Sequence, residues 1–253
     1  MSKNITEITY MGRKKNQSPA RLEIIKAATE LFFENGFSKT TAHAVCKRAN
    51  IGTGNLTFYF PTKEHILAVL VKMLCEYQDT VLEEEVDEGK SSLLAYCLEV
   101  TAMAAITDED PKMQDLYVAA YSHPMTLDII RANDFDKIKQ IFGSYCENWS
   151  DERFTEAEAI VSGIEFSTII KTEHSASLRY RIAGGLNAIM LLFGVPDNVR
   201  RMKIEKVLAM DYTAIGRRIC NGFRQYATET TEHALEELMK RVSASKAKGP
   251  SDN

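Results

Sequence analysis

The chain has 253 residues, of which 45% are hydrophobic and 26% charged, and its formal net charge is −4, as is ordinary for a soluble globular protein of one or two domains. Its longest apolar stretch, residues 182–195, is too short to span a bilayer, and its polar N-terminus predicts no secretory signal, so we expect a cytoplasmic protein without a membrane partner. Five scattered cysteines indicate neither a disulfide framework nor a metal site, and few prolines and glycines with little strand-like alternation predict an all-α fold.

The first predicted helix runs from about residue 19 to residue 35. Gly36 ends it, because glycine readily takes the left-handed conformation of a helix C-terminus, and Phe37 folds back onto it. Thr40 or Thr41 then caps a second helix, and Asn50 follows it at a sharp turn, where asparagine tolerates a positive φ. The apolar residues of the first helix have amphipathic spacing: Ile24, Ala27, Ala28, Leu31 and Phe32.

A short third helix and the start of a fourth follow in residues 52–67. Leu56 and Phe60 are four residues apart, so they share an inward face. Pro61 ends this helix, and Thr62 can cap the fourth. The second and third helices form a helix-turn-helix. The outward side suits bases and phosphates because it carries hydrogen-bonding groups, two aromatic rings and no acid: Thr53, Gly54, Asn55, Thr57, Phe58 and Tyr59.

Residues 27–67 resemble the DNA-binding domain of TetR-type (tetracycline-repressor-like) transcriptional regulators. The matching features lie at fixed offsets: Gly36 and Phe37, the threonines that open the second helix, the Val45-Cys46 and Ala49-Asn50 pairs, and Gly54, Leu56, Tyr59, Phe60, Lys63 and Glu64. The resemblance covers about a fifth of the chain directly. For the remainder it implies only an all-helical domain that binds a ligand and dimerises.

The resemblance also implies roles for single residues. Thr41, Tyr59 and Lys63 would contact DNA phosphates, while Thr53, Asn55, Thr57 and Phe58 would lie in or beside the major groove. Gly54, which has no side chain, would let the backbone come close to the DNA. In a competing interpretation the aromatic residues are simply core, which we accept for Phe60 and leave open for Phe58 and Tyr59. Gly52, Thr57 and Tyr59 depart from residues common in the family, so its base preferences do not transfer.

The charge distribution supports a basic head on an acidic body. Residues 11–65 contain nine Lys or Arg against four acids, a net of +5, so the rest of the chain sums to −9. Arg13, Lys14 and Lys15 form a basic arm ahead of the first helix. Such an arm could follow phosphates or enter a minor groove, although a solubilising tail explains it equally well.

The body is predicted to be helical throughout. Helix four runs from Thr62 to about Glu85 and joins the two domains without a flexible linker. Gly89, Pro111 and Pro124 interrupt the helices that follow. These helices are expected at 91–107, 124–149, 154–173, 176–194, 198–226 and 231–243.

Helices 176–194 and 198–226 are the predicted homodimer interface, with an ordinary buried core as the alternative. Small residues beside large ones permit close helix packing. The interface candidates are Gly185, Ala188, Ile189, Leu192, Leu208 and Ile215. Two heads on a two-fold axis would select a palindromic operator in double-stranded DNA.

A small-molecule effector of unknown identity is expected in a cavity formed among helices four to eight, and no cofactor is predicted. An acid such as Glu165, flanked by Ile164 and Phe166, is costly to bury without a partner or a cationic ligand. Each pocket candidate has ordinary core or surface as its alternative. The candidates are Tyr77, Cys97, Met103, Tyr121, His123, Trp149 and Glu165.

The sequence therefore predicts a transcriptional regulator, a repressor that a small molecule releases from its operator. A transcriptional activator and a non-specific DNA-binding protein of the same fold are the alternatives. An enzyme is disfavoured because the chain has no phosphate-binding loop, nucleophile elbow or paired metal-spaced histidines. The expected division is an arm at 1–18, a DNA-binding domain at 19–65, a ligand-binding and dimerisation domain at 66–244, and a disordered tail at 245–253.

Overall fold

The computed structural model describes residues 18–85 and 92–247, with side chains for 18–78 and 92–236. Within these ranges the chain forms eleven α-helices and no strand, which confirms the all-α prediction. The helices are α1 (Pro19–Asn35), α2 (Ala42–Arg48), α3 (Thr53–Tyr59), α4 (Lys63–Glu85), α5 (Leu93–Glu109), α6 (Pro111–Ser122), α7 (Pro124–Phe142), α8 (Asp151–Ile169), α9 (Leu178–Leu192), α10 (Asp197–Leu208) and α11 (Tyr212–Ala247). The predicted arm with Arg13, Lys14 and Lys15, the break at Gly89 and residues 248–253 lie outside the described ranges. No helix within those ranges is long and apolar enough to cross a membrane.

The head, α1 to α3, is built on the signals that the sequence shows. Gly36 has a φ of 87°, and its amide donates to the Phe32 carbonyl. The Thr41 hydroxyl accepts from the Ala44 amide and so caps α2. Asn50 is the only described non-glycine residue with a positive φ, 52°, at the turn between α2 and α3. These three local predictions are confirmed.

The body surrounds α5, which is buried along nearly its whole length. Helices α4, α6, α8, α9, α10 and α11 all pack against it. Because every side of α5 faces another helix, its sequence is apolar all round and lacks an amphipathic stripe. Three charged or polar exceptions in this buried helix, Glu99, Thr101 and Thr107, therefore require partners inside the protein.

Helix boundaries in the C-terminal half differ from the predicted ones. The predicted helix 124–149 ends at Phe142 and is followed by a 3-10 turn, Gly143–Tyr145. The predicted helix 198–226 is interrupted after Leu208, because Asp211 caps a new helix by accepting from the Ala214 amide. That new helix, α11, continues to Ala247, so the expected break before Thr231 and the expected tail at 245–247 are wrong. Ala227 and Thr231 are buried, which explains why α11 continues there.

Helix α11 reaches from the body back to the head. Phe223 is buried between Phe33 of α1, at a ring-centroid distance of 6.0 Å, and Tyr77 of α4, at 5.7 Å. Further along, Glu232 accepts a 2.6 Å hydrogen bond from Lys26 of α1. The last helix therefore packs against the first, and the two domains share this contact as well as the continuous helix α4.

Candidate nucleic-acid interface and effector cavity

Helix α3 is held to the head by one face and presents the other to solvent. Leu56 and Phe60, which are 5% and 4% exposed, pack into the core as predicted. The five candidate base-reading residues are all exposed: Thr53, Gly54, Asn55, Thr57 and Phe58. Phe58 is 56% exposed, which excludes the core interpretation for it.

The backbone of α3 is open on the exposed side. A Cβ atom built at Gly54 would meet no atom within 4 Å, so packing within the chain does not require glycine at this position. The Thr57 hydroxyl is 3.3 Å from the Thr53 carbonyl and 3.2 Å from that of Gly54. A hydroxyl engaged in this way can still accept a hydrogen bond, and its methyl group remains available for apolar contact.

The three candidate phosphate contacts flank α3. Thr41 is exposed, whereas Tyr59 is half-buried with its hydroxyl 2.7 Å from the Ser18 hydroxyl. The Lys63 ammonium donates to the Phe37 carbonyl at 3.0 Å and lies 4.2 Å from the Phe37 ring centroid. Tyr59 and Lys63 therefore connect α3 and α4 to the rest of the head. An ammonium has three donors, so Lys63 can hold this loop and still meet a phosphate.

Several basic residues of the head are neutralised within the protein. Arg48 binds both Glu30 and Glu34, at 2.9 and 2.8 Å, and Lys26 binds Glu232. Lys39 and Lys47 are exposed on the head. The positive potential available to a nucleic acid is therefore concentrated near α2 and α3, away from the acids of α1.

A carboxylate of the body also contacts the head. Asp115 of α6 accepts hydrogen bonds from both the amide and the hydroxyl of Ser38, with 2.7 Å to the amide nitrogen. Gly36 lies against the same carboxylate: a Cβ there would come within 2.8 Å of the Asp115 Oδ2 atom. The body thus contacts the loop between α1 and α2 through α6. This contact between body and head is additional to those made by α4 and α11.

Two adjoining cavities lie in the body. One is enclosed by α4, α5, α6 and α11, and the other by α4, α5, α6, α7 and α8. They have empty volumes of about 540 and about 480 Å³, including the parts open to solvent. Residues common to both walls are Leu74, Gln78, Glu99, Met103 and Tyr117. The two cavities are therefore neighbouring parts of one interior region.

Three of the seven predicted pocket residues line these cavities, namely Met103, Tyr121 and Glu165. The other four have different surroundings. Tyr77 packs against Phe223 and Tyr226, and Cys97 is fully buried in α5. His123 caps α7 by accepting from the Met125 amide, and Trp149 packs on Phe154 and Phe193. These four side chains have structural contacts and lie outside both cavity walls.

Glu165 is the buried carboxylate of the second cavity. It is 4% exposed and accepts hydrogen bonds from the Tyr96 hydroxyl at 2.8 Å and the Tyr121 hydroxyl at 3.1 Å. Burial, followed by the nearby charge of Asp134, raises the pKa of Glu165 to about 8, although both tyrosine hydrogen bonds oppose this rise. The group is therefore mostly protonated at neutral pH.

Glu158 lies two helical turns before Glu165 on α8 and is also buried. Its Oε2 atom lies 3.6 Å from the Arg131 guanidinium, while its Oε1 atom has no hydrogen-bond partner among the described residues. Burial, followed by the charge of Asp134, raises the pKa of Glu158 to about 7. The interior face of α8 therefore holds two carboxyl groups that are costly to ionise.

Sequence reasoning missed Glu99, Asp134 and Lys137, which complete the charged wall of the second cavity. Lys137 of α7 forms an ion pair with Glu99 of α5. The argument that drew attention to Glu165, an acid surrounded by apolar residues, applies equally to Glu99 and would have found it. Asp134 and Lys137 lie in a polar stretch of α7, where the sequence has no comparable signal.

The predicted interface residues are divided between interior and surface. Gly185 and Ile189 are buried within the subunit, and a Cβ at Gly185 would overlap the Thr168 side chain of α8. Leu192, Leu208 and Ile215 are half-buried, and Ala188 is exposed. Gly185 and Ile189 thus serve the packing of α9 on α8 rather than a contact between subunits.

A three-helix head with an exposed helix-turn-helix is an arrangement used to place a recognition helix in the major groove of DNA. The family described as bacterial regulatory proteins, tetR family, matches residues 24–70, from α1 to the first third of α4. The match covers the head and the start of α4, which is the region where the sequence resembles this family.

Curated relatives match over part of the chain. The HTH-type transcriptional regulator HbdR of Aromatoleum sp. (strain CIB) is 29% identical over 107 residues, 42% of this chain and 45% of the relative. The fatty acid metabolism regulator protein of Bacillus subtilis (strain 168) is 32% identical over 74 residues, 29% of this chain and 38% of the relative. The chain thus spans less than half the length of these curated relatives, both of which are named as regulators. The solved structure of Salmonella enterica GusR is 22% identical, with a TM-score of 0.44, over 70% of this chain and 95% of that one.

Proposed function

We propose that the chain is a sequence-specific transcriptional regulator that binds a palindromic operator as a homodimer and represses until a small molecule enters the body. The observation that carries this proposal is the exposed face of α3, mounted through Leu56 and Phe60 on a head that matches the family. The base-contacting set is Thr53, Gly54, Asn55, Thr57 and Phe58, and the phosphate set is Thr41, Tyr59 and Lys63. Such a regulator would act in the cytoplasm.

The roles that we propose for the segments of the chain follow the expected domain limits. Residues 1–18 are an arm, 19–65 bind DNA, 66–244 bind the effector and the second subunit, and 245–253 are a tail whose first three residues extend α11. All the residues that line the two described cavities fall in the third of these segments.

Release from DNA would follow from the three contacts between body and head. Helix α4 is continuous with the head, α6 holds Ser38 through Asp115, and α11 holds Phe33 through Phe223. Each of these helices also forms a cavity wall. An effector that favours a different arrangement of these walls would change the separation of the two heads and hence their fit to the half-sites.

The homodimer face that we propose lies on the outer sides of α8 and α9. On α9, Tyr180 and Leu191 are 77% and 56% exposed, and Gly184 and Ala188 lie exposed between them at helical spacing. On α8, Ile160 is 43% exposed, with the exposed small residues Gly163 and Ser167 one and two turns further on. Large apolar and small residues side by side permit two copies to pack closely. Ala188 is the sequence-predicted residue on this face.

The proposal is tested by measuring binding of the purified chain to DNA from upstream of its own coding sequence, at physiological salt. We expect a palindromic segment to bind at least about a thousandfold more tightly than random duplex of equal length. Equal affinity for both would identify a non-specific DNA-binding protein of the same fold. Transcription from that DNA in vitro, with and without the chain, separates a repressor from an activator.

We expect Lys63→Ala to weaken binding to all DNA sequences by about tenfold and to lower the salt dependence by about one phosphate contact. The reason is the loss of a single ammonium at the start of α4, beside α3. Fluorescence anisotropy at several salt concentrations measures both effects. The matched control is Lys72→Ala, an exposed lysine on the same helix. Because Lys63 also donates a hydrogen bond to the Phe37 carbonyl, urea unfolding of the variant is measured in parallel to verify that it folds. If Lys63→Ala bound DNA with unaltered affinity, the proposed docking would be wrong.

Asn55→Ala is expected to change base preference more than overall affinity. An exposed amide on α3 can form two hydrogen bonds to one base, and losing them removes about 1–3 kcal/mol of discrimination at one position. Binding is measured on a set of operators changed one base pair at a time. If Asn55→Ala lowered the affinity for all these operators equally, as expected for Lys63→Ala, Asn55 would contact the DNA phosphate backbone and not a base.

A further inference from the structure

We propose that the effector is an elongated organic cation, whose charged group lies against α5, α7 and α8 while its apolar body extends toward α11. This inference rests on the proposed function, since it names the chemical class that the interior cavity of the regulator would accept. It follows from the shape of the combined cavity, from the charges of one end and from the apolar lining of the other.

The shape indicates a ligand that is longer than it is wide. The two cavities lie side by side and have walls from α4, α5 and α6 in common. From these shared walls one cavity extends to Asp134 and Glu165, and the other to Ile219 and Phe223. A compact ligand would occupy only one of the two parts.

The charged end has more carboxyl than ammonium groups. Its lining contains Glu99, Asp134 and Glu165 but a single basic residue, Lys137, which forms an ion pair with Glu99. The nearby Arg131 guanidinium lies against Glu158 and Ser162 of α8 and does not line the cavity. Glu165 is mostly protonated at neutral pH, partly because the charge of Asp134 opposes its ionisation. The same negative potential would stabilise a cation in this poorly solvated site and repel an anion.

Aromatic rings at the same end also suit a cation. Tyr96, Tyr117 and Tyr121 line the cavity next to the carboxyl groups. Aromatic faces attract ammonium groups, most strongly where water is excluded. The Tyr96 and Tyr121 hydroxyls donate to Glu165, so they keep this carboxyl group in place beside the cavity.

The far end is apolar and belongs to the helix that contacts the head. Its lining includes Ile106, Met113, Leu116, Ile219 and Phe223. A chain or ring system placed there gains free energy by leaving water. It would also lie against Phe223, whose ring contacts Phe33 of α1, so the apolar part of the ligand acts on the contact between body and head.

Ionisation of Glu165 provides a distinct signature. The pKa of Glu165 is raised, mainly by burial, and a cation nearby would lower this pKa, so binding would release a proton. The titratable groups facing this site are Cys75 of α4, Tyr96 and Glu99 of α5, Tyr117 and Tyr121 of α6, and Asp134 and Lys137 of α7. Glu158 lies on the same helix as Glu165 and has its own raised pKa.

The test uses the full-length chain without DNA and four probes below their micellar concentrations: decyltrimethylammonium, decanoate, decanol and tetramethylammonium. We expect calorimetry to show one decyltrimethylammonium per chain, bound at least about tenfold more tightly than any other probe. Because this cation does not titrate, its affinity should rise with pH between about 6 and about 8, by up to about tenfold per pH unit for one released proton. Tighter binding of decanoate or decanol would overturn the proposal.

Variants distinguish binding of the probe in the cavity from its adsorption to the protein surface. Glu165→Gln should weaken decyltrimethylammonium binding by about tenfold or more and remove most of its pH dependence. Glu156→Gln, an exposed glutamate on the same helix, should change neither. Thermal unfolding verifies that both variants fold, and Asp134→Asn provides a second change at the charged end with the same expected loss. Equal binding to all four proteins would overturn the proposal.

Operator binding distinguishes this inference from the function on which it rests. If the chain binds a palindrome but decanoate binds the cavity and releases the DNA, the regulator is established and the cationic class is wrong. If decyltrimethylammonium binds as predicted but no specific DNA is found, the ligand class stands and the proposed function fails.

Discussion

Leu191→Glu is expected to convert the proposed homodimer into monomers and to lower operator affinity by at least about a hundredfold. Leu191 is 56% exposed on the outer side of α9, on the face that also carries Tyr180 and Ala188. Across a two-fold axis the same patch meets itself, so one substitution places two carboxylates in the interface. A monomer binds with one head and loses the gain of about 10² to 10⁴ from linking two.

Sedimentation velocity measures the change of oligomeric state, and anisotropy on the palindromic operator measures the affinity. Met202→Glu is the matched control, because Met202 is 53% exposed but lies on α10, outside the proposed face. The sequence analysis predicted the helix at 198–226, which includes Met202, as the second helix of the interface. Dissociation of the Met202→Glu dimer, with the Leu191→Glu dimer intact, would restore that expectation and contradict the face formed by α8 and α9.

Glu165→Gln is expected to change how stability depends on pH. In the folded chain the pKa of Glu165 is raised from 4.5 to about 8, mainly by burial. A carboxyl group with a raised pKa favours folding fully below its unfolded pKa, and this contribution is lost as pH rises through the folded pKa. Glutamine does not titrate. The free energy of unfolding of the wild type should therefore fall relative to the variant between about pH 5 and about pH 8, by up to about 5 kcal/mol.

Urea unfolding of both proteins at several pH values in this window measures the difference. Glu158, whose pKa is raised to about 7, titrates in the same window, but it is present in both proteins and so contributes equally. The free energy of unfolding of Glu156→Gln should depend on pH in the same way as that of the wild type, because Glu156 is exposed. A constant difference between wild type and Glu165→Gln across the window would show that Glu165 keeps an ordinary pKa.

The head was predictable because its signals are local. The ends of α1 and α2 depend on single residues, such as Gly36 and Thr41, whose backbone or side chain determines the chain direction at that point. The inward pair Leu56 and Phe60 follows from helical spacing alone. In contrast, the exposure of Phe58 depends on what lies beside α3, and no local pattern decides that.

The body was predictable as a set of helices but not as an arrangement. Helix α5 is apolar on all sides, so its sequence does not indicate which side faces the cavity. Gly184 and Gly185 are neighbours of the same type, yet one is exposed on the proposed dimer face and the other packs on Thr168. The cavity walls combine residues far apart in the chain, such as Glu99 and Glu165, and only the tertiary structure brings them together.

The contact between the last helix and the first limits how freely this protein can be recombined. A chimeric regulator that kept residues 19–65 and received a different body would lose the partner of Phe33 and the acid that binds Lys26. Its first helix would then expose apolar surface. Exchange of the proposed operator specificity is therefore best achieved by grafting the outer face of α3 alone, because the rest of the head packs against the C-terminal helix of its own chain.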